Sequence, residues 1–491
     1  MTIDRRKFLT ASAGAAAAIA SARYAPLASA QTPARTISVQ IDPQQMLREI
    51  PPDFLGLGYE ISSVARPGLL SVRNSAYVQF VKTLGPRGVI RVGGNTSDFS
   101  SYSKDGPPVC ATKATVVDDA VIRDLAEFLD ATGWHLIWGL NLGSAKFENG
   151  TVTNDALQNA IDEAGSVIAA AKDKLLALEI GNEPDLFAGG VAHRAQGYSY
   201  ADYLKEYRVY KAALRAKFPK VPFAGPDVAS HTDWVTQFAA DEGSDLKLLT
   251  HHRYAEGPPT SPQSTIERLL APSEGLTRML ATCEAATRSS GVPYRICETN
   301  SCYGGGKPGV SDTFAAALWG LDYLFTMAAA NCAGSNLETG VNQLGFVSPY
   351  SPIADDNASS PVAKPLYYGM LAFAQAGRGN RIAAQYDESA LNLRAYAVKD
   401  SGSRVVVTLI NKEASVDATV SIATPGHFAA GSVIRLEGPS LDSKTGVTLG
   451  GAEVSAEGKW SPKKTEKASL KSGTFEVHIP AASAGIVTLT K

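Results

Sequence analysis

From about residue 54 to residue 376, short apolar runs alternate with longer stretches whose apolar residues recur every three to four positions. The runs predict strands over 54–60, 88–95, 134–141, 175–180, 221–227, 246–254, 293–300 and 333–337. The stretches between them predict helices over 75–84, 118–131, 154–171, 200–217, 232–240, 264–289, 312–329 and 364–376. A strand that is apolar along its whole length is buried on both faces, as parallel strands are. Parallel neighbours need a crossover, and a helix supplies it. Repeated units of this kind predict an α/β fold, a (β/α)8 TIM barrel over residues 50–376.

Past Gly377 the period changes. Short strands over 391–398, 404–410, 418–422, 433–436, 473–479 and 484–489 are separated by Gly, Ser, Pro and Asp turns. They predict an all-β sandwich over residues 377–491. Ahead of the barrel, Thr36–Ile41 alternates with period two inside a polar leader, residues 31–49. That strand has no place in the barrel pattern and is expected to complete the sandwich.

The first thirty residues are expected to be removed. Asp4-Arg5-Arg6-Lys7-Phe8-Leu9 is a twin-arginine sequence, an apolar run follows from Ala11 to Ala22, and Ala28-Ser29-Ala30 offers a cleavage site. An ordinary secretory signal or an uncleaved anchor is the competing reading. The mature protein is expected in the periplasm or outside the cell. No other apolar run approaches the ~20 residues of a membrane span.

Composition removes several classes of function. A net charge of -2 with 19% charged residues gives nucleic acid no basic face to bind. The five cysteines form no CxxC pair and their number is odd, so no disulfide framework is indicated, although one bridge stays open. The seven histidines lack metal-ligand spacing, and His251 and His252 on one strand point to opposite faces. No metal and no cofactor is expected, and the chain is expected to act as a monomer.

The chemistry should lie where the strands end. Read as a barrel, the chain delivers Glu60, Asn95, Asn141, Asn182 with Glu183, Asp227, Tyr254 and Glu298 to one mouth. Glu183 and Glu298 each follow a wholly apolar strand. Two carboxyl groups facing across a pocket are what cleavage of a glycosidic bond requires, one to protonate the leaving oxygen and one to meet the anomeric carbon. The competing reading for each is an ion-pair partner of a barrel arginine, Arg91 or Arg295.

Asn182-Glu183-Pro184 ending the fourth strand and Glu298 ending the seventh resemble the clan A retaining glycoside hydrolases. Phe54–Glu60, Arg91-Val92-Gly93-Gly94-Asn95, Gly139-Leu140-Asn141, His251-His252-Arg253-Tyr254 and Glu298-Thr299-Asn300-Ser301 narrow the resemblance. With the terminal β-domain, they resemble glycoside hydrolase family 79, the bacterial β-glucuronidases and heparanase. The resemblance implies an exo-acting retaining β-glucuronidase acting on a carbohydrate, with Glu183 as acid/base and Glu298 as nucleophile. It implies carboxyls ~5–5.5 Å apart. It gives Asn182 the sugar 2-hydroxyl, Tyr254 the nucleophile's carboxylate, and Glu60 and Asn95 the remaining hydroxyls. It gives the sugar carboxylate to tyrosines and backbone N–H groups. Tyr303 matches one such tyrosine, and its competing role is to pack the glycine loop behind it. The segment Gly345-Phe346-Val347-Ser348-Pro349-Tyr350 offers Gly345 and Tyr350 as further ligands, and Phe346 in that place would remove one hydrogen bond. A neutral-sugar clan A β-glycosidase, such as a β-xylosidase or β-glucosidase, and a non-catalytic carbohydrate-binding protein are the other outcomes.

Overall fold

A computed structural model describes residues 34–111, 113–189, 192–340, 347–355, 360–402, 404–424 and 428–491. The segment read as an export signal lies outside them. The chain enters through a long strand, β1 (Arg35–Ile50), and then builds eight parallel strands. These are β2 (Leu55–Glu60), β3 (Val89–Gly93), β4 (His135–Leu140), β5 (Leu175–Ile180), β6 (Phe223–Val228), β7 (Leu246–Glu256), β8 (Tyr294–Cys302) and β9 (Ser335–Glu338). They close in sequence order, with β9 hydrogen-bonded back to β2.

Helices α1 (Ser75–Leu84), α2 (Asp119–Thr132), α3 (Ala156–Ala171), α4 (Tyr200–Lys217), α5 (Thr232–Glu242), α6 (Ile266–Leu270), α7 (Glu274–Ser290), α8 (Phe314–Ala329) and α9 (Pro365–Ala376) cover the outside. The helix expected over 264–289 is in fact two, α6 and α7. Pro272 has no N–H to give and forces Ala271 into extended backbone, and the Ser273 hydroxyl then accepts from Leu276 N at 3.2 Å to start α7.

The barrel interior is layered. Val89, Ile137, Ala177, Ala224, Leu248 and Cys297 make an apolar plug. Two residues further along their strands, Arg91 follows Val89 and Glu179 follows Ala177 on the same inward face. The charged layer therefore sits directly above the plug, below the mouth.

The C-terminal domain is one hydrogen-bonded sheet of eleven strands. It includes β10 (Gly379–Gln385), β11 (Leu393–Lys399), β12 (Val405–Asn411), β13 (Ala418–Ala423), β14 (Ala430–Glu437), β15 (Thr474–Ile479) and β16 (Ser483–Thr490). Alternate residues of these strands and of β1 face one shared core, as the two layers of a sandwich do. β1 joins the layers, pairing antiparallel with β10 and parallel with β13. It runs beyond the expected Ile41 to Ile50 through irregularities at Asp42/Met46 and Met46/Glu49. β10 was not apparent in the sequence because only Ile382 of its residues is fully buried and no alternation marks it. The domain docks on α8, where the carbonyls of Ser443 and Leu441 accept from Phe314 N and Ala315 N at 2.8 Å each. All five cysteines are free thiols. Among the described residues no helix is long and apolar enough to cross a membrane.

Candidate active site

Arg91 is the centre of the charged layer. Its side chain is fully buried and forms ion pairs with Glu179 at 3.1 Å, Asp227 at 2.5 Å and Glu298 at 2.9 Å. It also donates to Asn182 Oδ1 at 2.9 Å. Of the two arginines considered as partners for the strand-end acids, Arg91 takes one, whereas Arg295 donates to Asn336 Oδ1 and to carbonyls of Asp53, Phe54 and Ala333. Burial pushes Glu179 up to about 7, and the nearby Asp227 adds to the rise. Asp227 lies at about 2, because Arg91 and His252 outweigh the cost of burying it. Of the two carboxyls, Glu179 is thus the weaker acid and Asp227 the stronger.

His252 connects this layer to the mouth. Its Nε2 lies 2.7 Å from Asp227 Oδ1 and its Nδ1 lies 3.0 Å from Glu183 Oε1. Burial opposes the cation, but Asp227 and Glu298 raise the imidazole well above its ordinary value. An imidazolium donates through both nitrogens, which fixes one oxygen of Glu183 and leaves the other for a ligand.

Glu183 leaves its strand in a left-handed turn, φ 50° and ψ 50°, at the start of a short 3-10 turn. A non-glycine residue held there costs of order 1–3 kcal/mol. The backbone is locked by Glu183 N donating to Asp227 O at 2.9 Å, and Asp185 accepts from Ala229, Ser230 and His231 N at 2.7–3.0 Å. Burial is the main cause raising the Glu183 carboxyl, Glu298 adds to it, and His252 works against both. A carboxylate oxygen of Glu183 and one of Glu298 lie within 4.8 Å of each other. Tyr254 donates to Glu298 Oε1 at 2.8 Å, so Glu298 is held from both sides, by a phenol and by Arg91. Glu183, His252 and Glu298 also place one potential ligand atom each within this distance, but both imidazole nitrogens are already bonded to carboxylates.

These groups open into a cavity of about 900 Å³ at the C-terminal ends of the strands. Glu60, Asn95, Glu183, Tyr254, Glu298, Tyr303 and Tyr350 all line it. Glu60 accepts from Asn95 N at 3.2 Å, Thr96 N at 2.8 Å and Thr96 Oγ1 at 2.7 Å. Burial, with the Glu298 charge, lifts it to about 7. Asn182 is not among the lining residues; it is 4% exposed, and among the described residues its amide Nδ2 has no acceptor. Tyr254 stacks on Tyr350 at 6.2 Å and meets the edge of Tyr303 at 6.3 Å. Tyr303 is 49% exposed, which fits a residue at the rim better than one packing a loop. Gly345 lies outside the described residues. Asn141 points away from the cavity and binds Ser100 O and Ser144 Oγ.

Four contributors were not apparent in the sequence. Asp98 accepts from Leu142 N, Gly143 N and Asn182 N at 3.1, 2.8 and 3.1 Å, fixing the turn that presents Asn182. Phe99 with Lys113 forms part of the cavity wall, the ammonium 5.6 Å from the ring centre. Glu338, ending β9, is 2% exposed with both carboxyl oxygens unpartnered among the described residues, and burial raises it well above its ordinary value, with Glu298 and Glu60 adding to the rise. Gly58 makes room for it, since a Cβ there would stand 2.4 Å from Glu338 Oε2. A strand-end Glu on the short eighth strand was the one signal available.

Comparison with known proteins follows the same division into barrel and β-domain. Residues 72–325 match the model of the glycosyl hydrolase family 79 N-terminal domain, and residues 395–486 match the family 79 C-terminal beta domain. A β-glucuronidase of Aspergillus niger is 25% identical over 499 aligned positions, covering 89% of this chain and 88% of that protein. Mouse heparanase is 23% identical over 68% of this chain and 70% of its own. Among solved structures, a 4-O-α-L-rhamnosyl-β-D-glucuronidase from Fusarium oxysporum 12S superposes with a TM-score of 0.71 at 19% identity, covering 92% of this chain and all of the other.

Proposed function

The chain belongs to glycosyl hydrolase family 79 and is a glycoside hydrolase, and from that we propose that it is an exo-acting, retaining β-glucuronidase. The observation that carries the reading is the pair Glu183 and Glu298, with carboxylate oxygens within 4.8 Å across a cavity lined by three tyrosines. Retaining glycosidases keep their carboxyls ~5–5.5 Å apart, whereas inverting enzymes leave room for a water between them.

In this mechanism Glu183 protonates the glycosidic oxygen as Glu298 attacks the anomeric carbon. The C–O bond to the leaving group breaks, and the glycone is left esterified to Glu298. Burial and the Glu298 charge keep the proton on Glu183 for this step. Esterification removes that charge, so the Glu183 carboxyl becomes more acidic and can take a proton from the incoming water. Water attack then releases the sugar with its original configuration. In this reading Asn182 would meet the 2-hydroxyl through its Nδ2, and Glu60, with Asn95 beside it, would meet hydroxyls farther from the reacting carbon.

The sugar carboxylate would be met by the phenols of Tyr303 and Tyr350. The β-glucuronidases of Aspergillus niger and Neurospora crassa among the chain's relatives support this choice of sugar. A neutral-sugar β-glycosidase remains the second reading, favoured by the half exposure of Tyr303. We also propose export by the twin-arginine route and a monomeric enzyme.

The test is turnover of aryl β-glucuronide, β-glucoside and β-xyloside by the mature protein and by Glu298→Ala, with the first-formed anomer followed by NMR. Glucuronide is expected to be cleaved far faster than the others, giving the β-anomer first, and the variant is expected to be inactive. Equal turnover of the three would remove the uronate assignment, and an α-anomer first would remove the retaining mechanism.

A further inference from the structure

Behind the catalytic cavity lies a second one of about 560 Å³, in the seam between helices α6–α8 and strands β10 and β11 of the C-terminal domain. The two cavities share a wall made of Arg253, Ala255, Glu256 and Arg268. Its size falls in the ~300–1,000 Å³ range of small-molecule sites, which favour domain boundaries.

The seam is charged unevenly. Five cations line it, Arg253, Arg268, Arg381, Arg394 and Lys412, against the acids Glu256, Asp322 and Glu388. Each acid is taken by one cation: Arg268 with Glu256 at 3.2 Å, Arg394 with Glu388 at 3.1 Å, and Lys412 with Asp322 at 2.6 Å. Two guanidinium groups are left over. Among the described residues Arg381 donates only to neutral acceptors, Ala329 O at 3.2 Å and Asn331 Oδ1 at 2.7 Å. Among the described residues Arg253 has no carboxylate in ion-pair range, and its buried Nε has no acceptor. A cation drawn out of water without a counter-charge is costly, and an anion in the seam would offset that cost. The half-buried rings of Tyr386 and Tyr396 supply flat apolar wall beside these charges.

We propose that this seam is a second carbohydrate site, separate from the catalytic cavity, that takes an anionic saccharide whose carboxylate or sulfate groups pair with Arg253 and Arg381. Guanidinium suits both anions, because its planar fork matches their oxygen spacing. Lying back to back with the catalytic cavity, the site would hold an acidic glycan against the enzyme between cleavage events.

Calorimetric titration of the full chain with a uronate trisaccharide, a sulfated neutral trisaccharide and an uncharged trisaccharide tests the proposal. At least one anionic probe is expected to bind at one more site than the uncharged probe does, with affinity falling as salt is raised. The variant Arg381→Gln is expected to lose about tenfold or more at that site. Its melting temperature and its turnover of an aryl β-glucuronide are expected to stay at wild-type values. A preference for the uronate or for the sulfated probe identifies the anion the seam carries. Equal stoichiometry for all three probes, or equal binding of the anionic probes to wild type and to Arg381→Gln, overturns the proposal. Because the readout is binding, it stands apart from the fate of the glucuronidase assignment.

Discussion

His252 lies between two carboxylates, 3.0 Å from Glu183 through Nδ1 and 2.7 Å from Asp227 through Nε2, so the candidate acid/base is tied to the buried charge layer by one ring. The cation favours the ionised form of Glu183 and so opposes burial and Glu298, the two causes that raise its carboxyl. Replacing His252 with Asn removes that opposition and drives the Glu183 pKa higher still. Glu183 must be protonated to act first, so the basic limb of kcat/KM is expected to move to higher pH. The maximum should fall by about 10–100-fold, part of the ~10²–10⁴ that a positioned acid/base contributes. A pH–rate profile of His252→Asn on an aryl β-glucuronide checks this, and a basic limb that stays put or moves down would contradict it.

Glu183 itself has a signature that a structural carboxylate lacks. An activated aryl group departs without a proton, whereas an alkyl or sugar alcohol needs one. In Glu183→Ala, kcat/KM for a dinitrophenyl β-glucuronide is therefore expected to survive within about tenfold, while poor leaving groups lose ~10²–10⁴ and kcat falls because no base activates the water. Added azide should restore turnover of the activated substrate by doing the water's work unaided, and the product should be the β-azide. A uniform loss across leaving groups would assign Glu183 to binding or folding instead.

Arg91 makes a prediction about stability. Removing it leaves Asp227 and Glu298 without the guanidinium, in a layer sealed below by the apolar plug. Breaking a buried pair by deleting one partner costs about 3–5 kcal/mol. Arg91→Met is expected to lower the denaturant midpoint accordingly at pH 7. The sign with pH follows from Asp227, which titrates at about 2 in the folded chain, below its ordinary value of ~3.9. Its stabilisation is complete above that ordinary value and lost as pH falls through about 2, so wild type and variant should converge in acid. A difference that is constant with pH would mean that Arg91 acts by packing alone.

The barrel was legible because its strands are buried on both faces and so write themselves as unbroken apolar runs. The same clarity exposed Glu183 and Glu298, polar residues set at the ends of such runs. The layer that controls them was not legible as a layer. Arg91 is 88 residues from Glu179, 136 from Asp227 and 207 from Glu298, and no local spacing links an arginine to carboxylates so far away. His252 was placed on its strand, but nothing in a His-His pair says which ring turns inward to a carboxylate. Among the described residues the Asp98 carboxylate bonds only backbone N–H groups, which carry no residue identity. The break between α6 and α7 was written in Pro272, and the apolar spacing on either side of it masked the stop.

Glu163 offers the cleanest test of buried charge away from the cavity. It lies on α3, with no exposure, and Oε1 accepts from Trp138 Nε1 at 2.9 Å while Oε2 has no partner among the described residues. Burial lifts its carboxyl to about 7, and the bond from Trp138 lowers it only in part. In the unfolded chain the group titrates near ~4.3. A carboxyl whose folded pKa is raised binds its proton more tightly when folded, so wild-type stability is expected to decline as pH rises from the unfolded value through about 7. Glu163→Gln keeps an oxygen for Trp138 and has no proton to lose. It should match wild type below pH ~4 and exceed it above pH ~7 by at most about 4 kcal/mol, the equivalent of the pKa difference at 1.36 kcal/mol per unit. Denaturant unfolding of both proteins at pH 5, 7 and 9 (about two units either side of neutrality) reads this directly. A variant that is less stable at pH 9 than wild type would show that Glu163 is ionised and paired in the folded chain.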